Sequence, residues 1–127
     1  MVLLPIRAFA ETCNEVLEQL NQSRGKAWTV TPRTIRYYTQ EGLLAAPILE
    51  KGQARYGYEH LLRVLAVKLY QAQFIPLRLI RQRLAGQGKT TIEQFVTDTV
   101  LNRNGVFAVE AVADLTSSAT SAMIDRR

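Results

Sequence analysis

The chain has 127 residues and one cysteine, which is enough for one modest hydrophobic core but excludes an intramolecular disulfide and a cysteine-rich metal site. One histidine leaves little imidazole for metal binding or catalysis, and no stretch approaches a membrane span in length, so we expect a cytoplasmic protein. The net charge of +5 is concentrated in residues 24–90, which carry twelve Lys or Arg against three Glu. Such a segment is typical of a domain that binds a polyanion such as nucleic acid, although a merely basic surface explains the charge equally well.

The first predicted element is an amphipathic helix over residues 8–22. Apolar residues recur there at helical spacing, with glutamates on the other faces. Cys13 belongs to the apolar stripe, so we interpret it as a core residue and not as a nucleophile. The apolar positions are Phe9, Cys13, Val16, Leu17 and Leu20.

The second predicted helix lies in the stretch "VTPRTIRYYTQEGLL" and spans residues 32–42. Thr31 is suited to the N-cap, Pro32 to the first helical turn, and Gly42 to the end of the helix. Ile35 and Tyr38 share one face of this helix, which is a core face. A second stripe, which a core-facing helix does not require, contains Arg33, Arg36 or Tyr37, and Gln40.

The remaining elements are a hairpin and three helices. Turn residues in 46–57 predict a small two-stranded hairpin, and helices are predicted over 58–73 and 76–85. Thr90 and Glu93 have capping-box spacing and predict a further helix of about three turns with an apolar face over residues 92–101. Periodicity does not decide the structure of the residues from 106 onwards.

Two short helices joined by a turn form a helix-turn-helix candidate. A helix fits the DNA major groove, arginine binds phosphate or guanine, and a following hairpin reaches flanking DNA. Lys51 and Arg55 would be the basic residues of that hairpin. The alternative is a plain helical domain whose Arg/Tyr stripe is a solvated face.

Residues 30–84 resemble the DNA-binding domain of the MerR family of bacterial regulators, through "VTPRTIRYYTQEGLL" and "RYGYEHLLRVLAVKLYQAQFIPLRLIRQRL". The resemblance implies a mainly α fold, a winged helix-turn-helix whose wing is the hairpin. It also implies that Arg36 and Tyr37 bind phosphates and that the start of the helix and the wing also contact DNA. Taken together, the stripe, the hairpin and this resemblance predict the DNA-binding residues Thr31, Arg33, Thr34, Arg36, Tyr37, Tyr38, Gln40, Lys51, Arg55 and Tyr56.

The chain departs from the family pattern in several places. The turn "NQSRGKAWT" is wide, Ala54 stands where the family has its wing arginine, and Phe74 replaces the glycine usual between the last two helices. Gly86 and Gly88 interrupt the chain where the long dimerisation helix of the family is expected. We therefore divide the chain into a DNA-binding domain, residues 1–88, and a helical or flexible tail, residues 89–127.

These features predict a regulator of transcription that binds double-stranded DNA and needs no cofactor, metal or drug sensor. Candidate further partners are a second copy, through the first helix or residues 92–101, and RNA polymerase or another protein. The alternative function is an adaptor, or a subunit of a larger assembly, whose basic face docks an acidic protein.

No enzymatic activity is predicted. "GQGKTT" at 86–91 is similar to a phosphate-binding loop, but that motif requires a glycine at the position of Arg83 and a preceding strand. His60 and Glu59 have no nucleophile beside them.

Overall fold

The computed structural model describes residues 1–20 and 29–104, which form five helices and one antiparallel hairpin. The predicted mainly α winged helix-turn-helix is confirmed. None of the helices in these residues is long and apolar enough to cross a membrane. The elements are α1 (Ile6–Leu20), α2 (Pro32–Gln40), β1 (Ile48–Glu50), β2 (Gln53–Arg55), α3 (Tyr58–Ala72), α4 (Leu77–Leu84) and α5 (Lys89–Asn104).

Helix α1 buries the predicted apolar stripe and starts two residues earlier than predicted. Its first turn follows Pro5, whose carbonyl oxygen accepts a hydrogen bond from the Phe9 N–H at 2.8 Å. Because proline lacks an N–H and fixes φ, it is tolerated just ahead of a helix. Residues 21 and 22, the end of the predicted helix, lie outside the described residues. The buried side chains of the stripe are Phe9, Cys13, Val16, Leu17 and Leu20.

The hairpin is the wing, and it is attached to the start of the chain. Glu50 pairs with Gln53, so Lys51 and Gly52 alone form the turn, with φ of 52° and 79°. Positive φ at both turn residues matches the twist of the strands, as in a type I′ turn. On the other side of the wing, Leu4 and Tyr56 exchange two backbone hydrogen bonds of 2.8 Å each. The chain start thus supports the base of the wing.

Helix α3 is the central helix, and α5 packs along it. Ile92, Val96 and Val100 of α5 are buried in the same core as α3, and the rings of Tyr70 and Phe95 stack with centroids 4.3 Å apart. The boundary predicted after residue 88 therefore separates elements that share one core. The apolar face of 92–101, one of the candidate surfaces for a second copy, is covered within the chain.

Helix α5 also differs from its predicted bounds. It begins at Lys89 and has 16 residues, more than the three turns expected. Thr90 lies inside the first turn, so the predicted capping box with Thr90 as N-cap is wrong. The N–H of Ile92 instead donates to the carbonyl oxygen of Gly88, which precedes the helix. The structure of 106–127, left open above, lies outside the described residues.

Candidate nucleic-acid interface

The start of α2 is fixed by two threonines that cap each other. The Thr34 N–H donates to Oγ1 of Thr31, and the Thr31 N–H donates to Oγ1 of Thr34, both at 3.2 Å. Pro32 occupies the first helical position, where a missing N–H costs nothing. The cap thus satisfies backbone donors that the first turn would otherwise leave unpaired. Thr31 is exposed and Thr34 half-buried.

Asn14 of α1 holds the residue just before this cap. Its side-chain amide donates to the carbonyl oxygen of Val30 at 2.8 Å, and its Oδ1 accepts from the Val30 N–H at 2.7 Å. Two hydrogen bonds to one residue fix the entry of the chain into α2 and attach it to α1. Sequence reasoning missed Asn14 because a half-buried asparagine in a helix has no distinctive spacing signal.

The outer face of α2 is polar and cationic along its length. Ile35 and Tyr38 face the core, as the spacing predicts, with 0% and 3% exposure. The opposite face is solvent-exposed, and Thr39 beside it is held by a hydrogen bond from its hydroxyl to the Ile35 carbonyl at 2.9 Å. The exposed residues, which we call the α2 stripe, are Arg33, Arg36, Tyr37 and Gln40.

Two tyrosines predicted to contact DNA are buried. Tyr38 is 3% exposed, and its hydroxyl donates to Oε1 of Gln71 on α3 at 3.4 Å. Tyr56 is 4% exposed and stacks on the Phe9 ring with centroids 5.1 Å apart. Because both rings are packed in the core, we correct the prediction that these rings lie against DNA.

The wing presents one exposed cation and one that is paired. Lys51 stands at the exposed tip. The Arg55 side chain is half-buried, with Nε 3.8 Å from Oε1 of Glu50 and Nη2 donating to Oε1 of Gln53 at 2.8 Å. Leu49 is 72% exposed on β1. The wing is therefore less basic at its surface than its sequence indicates.

His60 has a structural position. Its Nδ1 accepts a hydrogen bond from the Gly57 N–H at 3.0 Å, which makes Nε2 the protonated nitrogen. Nε2 lies 3.1 Å from the carbonyl oxygen of Ala46, to which it donates. The ring joins the start of α3 to the connection before the wing, and both nitrogens are occupied. The signal that sequence reasoning overlooked is its place as the third residue of a helix preceded by glycine.

Helix α4 adds a second group of cations beside α2. Its charged residues are Arg78, Arg81 and Arg83, all exposed, and it has no acidic residue. Nη1 of Arg81 lies 3.7 Å from Oε1 of Glu41, the C-cap of α2. The guanidinium of Arg83 lies 5.4 Å from the centre of the Tyr70 ring. Arg81 thus links α4 to the end of α2.

This arrangement of capped helix, cationic outer face and hairpin agrees with what a comparison of the sequence with protein families finds. Residues 26–87 match the family model described as MerR HTH family regulatory protein. This part of the chain is therefore similar to a MerR-family helix-turn-helix domain. Comparison with curated proteins and with solved structures found no match.

The matched segment extends the predicted resemblance over 30–84 by a few residues at each end. It takes in α2, the wing, α3 and α4, and stops just before α5. The family description names a helix-turn-helix regulatory protein, which suggests a DNA-binding regulator of transcription. Helices α1 and α5 lie outside the MerR-family match, yet both contribute to the core that supports it.

Proposed function

We propose that the protein binds specific double-stranded DNA sequences and regulates transcription, with α2 in the major groove and the wing on flanking DNA. We further propose that these 127 residues act without a metal or drug sensor. The single cysteine, Cys13, is fully buried in α1 and gives no accessible thiolate for a metal. Regulation would then depend on the amount of protein or on a second macromolecule.

The α2 stripe is the observation that carries this proposal. A short helix needs only one buried face for stability, and α2 obtains it from Ile35 and Tyr38. The opposite face concentrates two arginines, a tyrosine and a glutamine on a rigid, capped helix. Those are side chains that bind phosphates and base edges in the major groove.

The roles within the stripe differ by position. Arg36 and Tyr37 are proposed to contact phosphates, which fixes the register of α2 on the duplex. Arg33, in the first turn, is proposed to reach a base edge, because residues near the start of a recognition helix point into the groove. Thr31 and Thr34 adjoin this end, and Lys51 is proposed to reach a flanking phosphate.

The second candidate function is an adaptor that docks an acidic protein. It is favoured by one specific observation: β1 exposes 47% of Ile48 and 72% of Leu49, while Arg55 is paired with Glu50. Apolar side chains at a wing suit a protein surface better than they suit phosphate. A homodimer is a further proposal, and it would need a surface other than the buried faces of α1 and α5.

Selection from a random duplex pool tests the function, with the enriched sites titrated at two salt concentrations. An enriched palindrome would indicate a dimer, and an enriched single half-site would indicate a monomer or a head-to-tail array. Failure to enrich any site, with binding that vanishes at physiological salt, contradicts the regulator and favours the adaptor.

Three variants then separate the roles. Arg36→Ala should weaken binding to all sequences and reduce the slope of log affinity against log salt by about one. Arg33→Ala should cost about 1–3 kcal/mol on the selected site and relax its sequence preference. Arg7→Ala, which removes an exposed arginine of α1, is the matched control and should change neither.

A further inference from the structure

Phe74, in the connection between α3 and α4, combines two unfavourable features. Its side chain is 93% exposed, and its backbone φ is 63°. An exposed phenylalanine leaves apolar surface in water, and a bulky residue with positive φ is rare because its Cβ crowds the carbonyl group. Neither feature helps the domain to fold.

The backbone at Phe74 belongs to a helix end that normally takes glycine. The Phe74 N–H donates to the Gln71 carbonyl at 2.9 Å, and the Ile75 N–H donates to the Tyr70 carbonyl at 3.2 Å. This is the Schellman motif, in which the residue at the position of Phe74 is left-handed. Glycine is favoured there because it has no Cβ.

Helix α2 ends in the same motif, and there the left-handed position is occupied by glycine. The Gly42 N–H donates to the Thr39 carbonyl at 3.2 Å, and the Leu43 N–H donates to the Tyr38 carbonyl at 2.8 Å. Gly42 has φ of 77°. The chain therefore uses glycine at one of these two equivalent positions and phenylalanine at the other, which points to a role for the ring outside the folded domain.

The connection is attached to the helix proposed to read DNA. Gln71, one turn before Phe74, accepts the hydrogen bond of the Tyr38 hydroxyl, and Arg81 of α4 pairs with Glu41 at the end of α2. Both sides of the connection are thus held to α2. Phe74 therefore lies in a connection whose two flanking helices both contact α2.

The charge around Phe74 favours a polyanion over a protein pocket. Helix α4 begins three residues later and carries three exposed arginines without an acidic residue. The nearest in sequence is Arg78. An aromatic ring accompanied by several cations matches nucleic acid, whose bases offer apolar faces and whose backbone offers phosphates.

We propose that Phe74 is an apolar wedge that inserts between neighbouring base pairs of DNA flanking the site read by α2. This rests on the proposed function. Arg78 binds a phosphate beside the opened step, and partial unstacking kinks the duplex away from the inserted ring. Proteins that bend DNA use apolar side chains in this way and recover the cost of unstacking through additional contacts.

The test uses the full chain and the selected duplex, with 2-aminopurine placed singly at each position within a helical turn of either end of the site. Fluorescence of this base rises when it loses its stacking partner. The wild-type protein should raise the signal at one step about two-fold or more, and a dye pair at the duplex ends should report bending. Anisotropy measures binding in the same samples.

Phe74→Gly is the decisive variant because its structural and functional effects have opposite signs. It should raise the urea midpoint of unfolding by relieving the left-handed backbone, abolish the 2-aminopurine signal and reduce affinity about ten-fold. Phe74→Leu keeps an apolar wedge and should retain part of the signal.

Wild-type binding without any fluorescence change, or an unchanged signal with Phe74→Gly, overturns the wedge and leaves the proposed function intact. In that case Phe74 becomes a candidate contact for a protein. Wild-type protein that binds no duplex removes both proposals.

Discussion

The ammonium group of Lys68 on α3 lies 5.7 Å from the centre of the Tyr38 ring, beneath α2. Both side chains are buried, at 7% and 3% exposure. Burial raises the pKa of Tyr38 to about 12, with a further contribution from the nearby Tyr37, and burial lowers the pKa of Lys68. Burial therefore favours the neutral form of each group in the folded state. The stability of the packing beneath α2 should consequently depend on pH in alkaline solution.

Tyr38→Phe should reduce the loss of stability at high pH. Between its unfolded pKa of 10.0 and its folded pKa of about 12, Tyr38 keeps its proton only when folded, so the free energy of unfolding falls as pH rises. The loss due to this residue is about 2 kcal/mol across that window. Urea unfolding of both proteins from about pH 9 to about pH 12 measures it.

Three other groups set the background of that comparison. Burial also raises the pKa of Tyr56 and of Cys13, so these two residues contribute to the alkaline loss of stability in both proteins. Lys68 acts with the opposite sign, since its lowered pKa makes stability rise as pH approaches 10.5. These effects are common to the variant and the parent and therefore cancel in the comparison. If the free energy of unfolding fell equally with pH in the two proteins, Tyr38 would contribute nothing to the alkaline loss.

Asn14→Ala should destabilise the segment of chain that leads into α2. The substitution removes both hydrogen bonds to Val30 and leaves its N–H and carbonyl without that partner, which should cost about 1–3 kcal/mol of unfolding free energy. DNA affinity should fall as well, because α2 is held less firmly to α1. Urea unfolding and DNA titration measure the two effects. Glu18→Ala, on an exposed face of the same helix, is the control. If the two variants were equally stable, the hydrogen bonds from Asn14 to Val30 would not contribute to the stability of the fold.

Thr31 has a capping role that can be separated from DNA contact. Thr31→Ala should cost about 1 kcal/mol because the Thr34 N–H loses its acceptor. Thr31→Asp should restore most of that stability, since aspartate is a good N-cap, yet place a negative charge against phosphate. Thermal unfolding and DNA titration of the two variants distinguish the roles. DNA binding that follows stability in both would show that Thr31 acts only through the helix.

Glu50→Gln should strengthen DNA binding. Glu50 pairs with Arg55 at 3.8 Å and places a negative charge on the wing. Removing it frees Arg55 for phosphate and should raise affinity about two- to five-fold at low salt, less at high salt. The pair is partly exposed and its atoms are 3.8 Å apart, so it contributes little to stability and the unfolding midpoint should stay the same.

The matched control for that titration is Glu15→Gln, which removes an exposed carboxylate from α1. A similar gain in affinity with Glu15→Gln would indicate net charge alone. No gain with Glu50→Gln would show that Arg55 does not reach DNA.

Cys13 should react with thiol reagents only when the protein unfolds. Its side chain has 0% exposure, and burial raises the pKa of the thiol well above its usual range. The reactive thiolate is therefore both scarce and inaccessible in the native state. Labelling with a chromogenic disulfide across a urea series should follow the unfolding curve. Rapid labelling in buffer without urea would contradict the packing of α1.

Local chemistry made much of this structure predictable. Threonine followed by proline fixed the start of α2, and the glycine at 42 marked its end. The spacing of Ile35 and Tyr38 identified the core face, and the same spacing should have removed Tyr38 from the predicted DNA contacts. Tyr38 was predicted to contact DNA although its position on the helix places it on the core face.

Long-range polar pairs were not predictable. Asn14 and Val30 are sixteen residues apart, and His60 reaches Ala46 across the wing. Such bonds arise only when the packing of the helices brings the two groups together. The burial of Tyr56 has the same origin, because it depends on Leu4 pairing beside it and on Phe9 stacking against its ring.

The pairing of Leu4 with Tyr56 bears on how the protein should be handled. Any peptide joined ahead of Met1 would begin three residues before Leu4, which pairs at the base of the wing. The space there is tight, since a Cβ on Gly57 would lie 2.9 Å from Cδ2 of Leu3. An amino-terminal purification tag would therefore lie close to the wing and interfere with measurements of binding there. It should be cleaved before any affinity is measured.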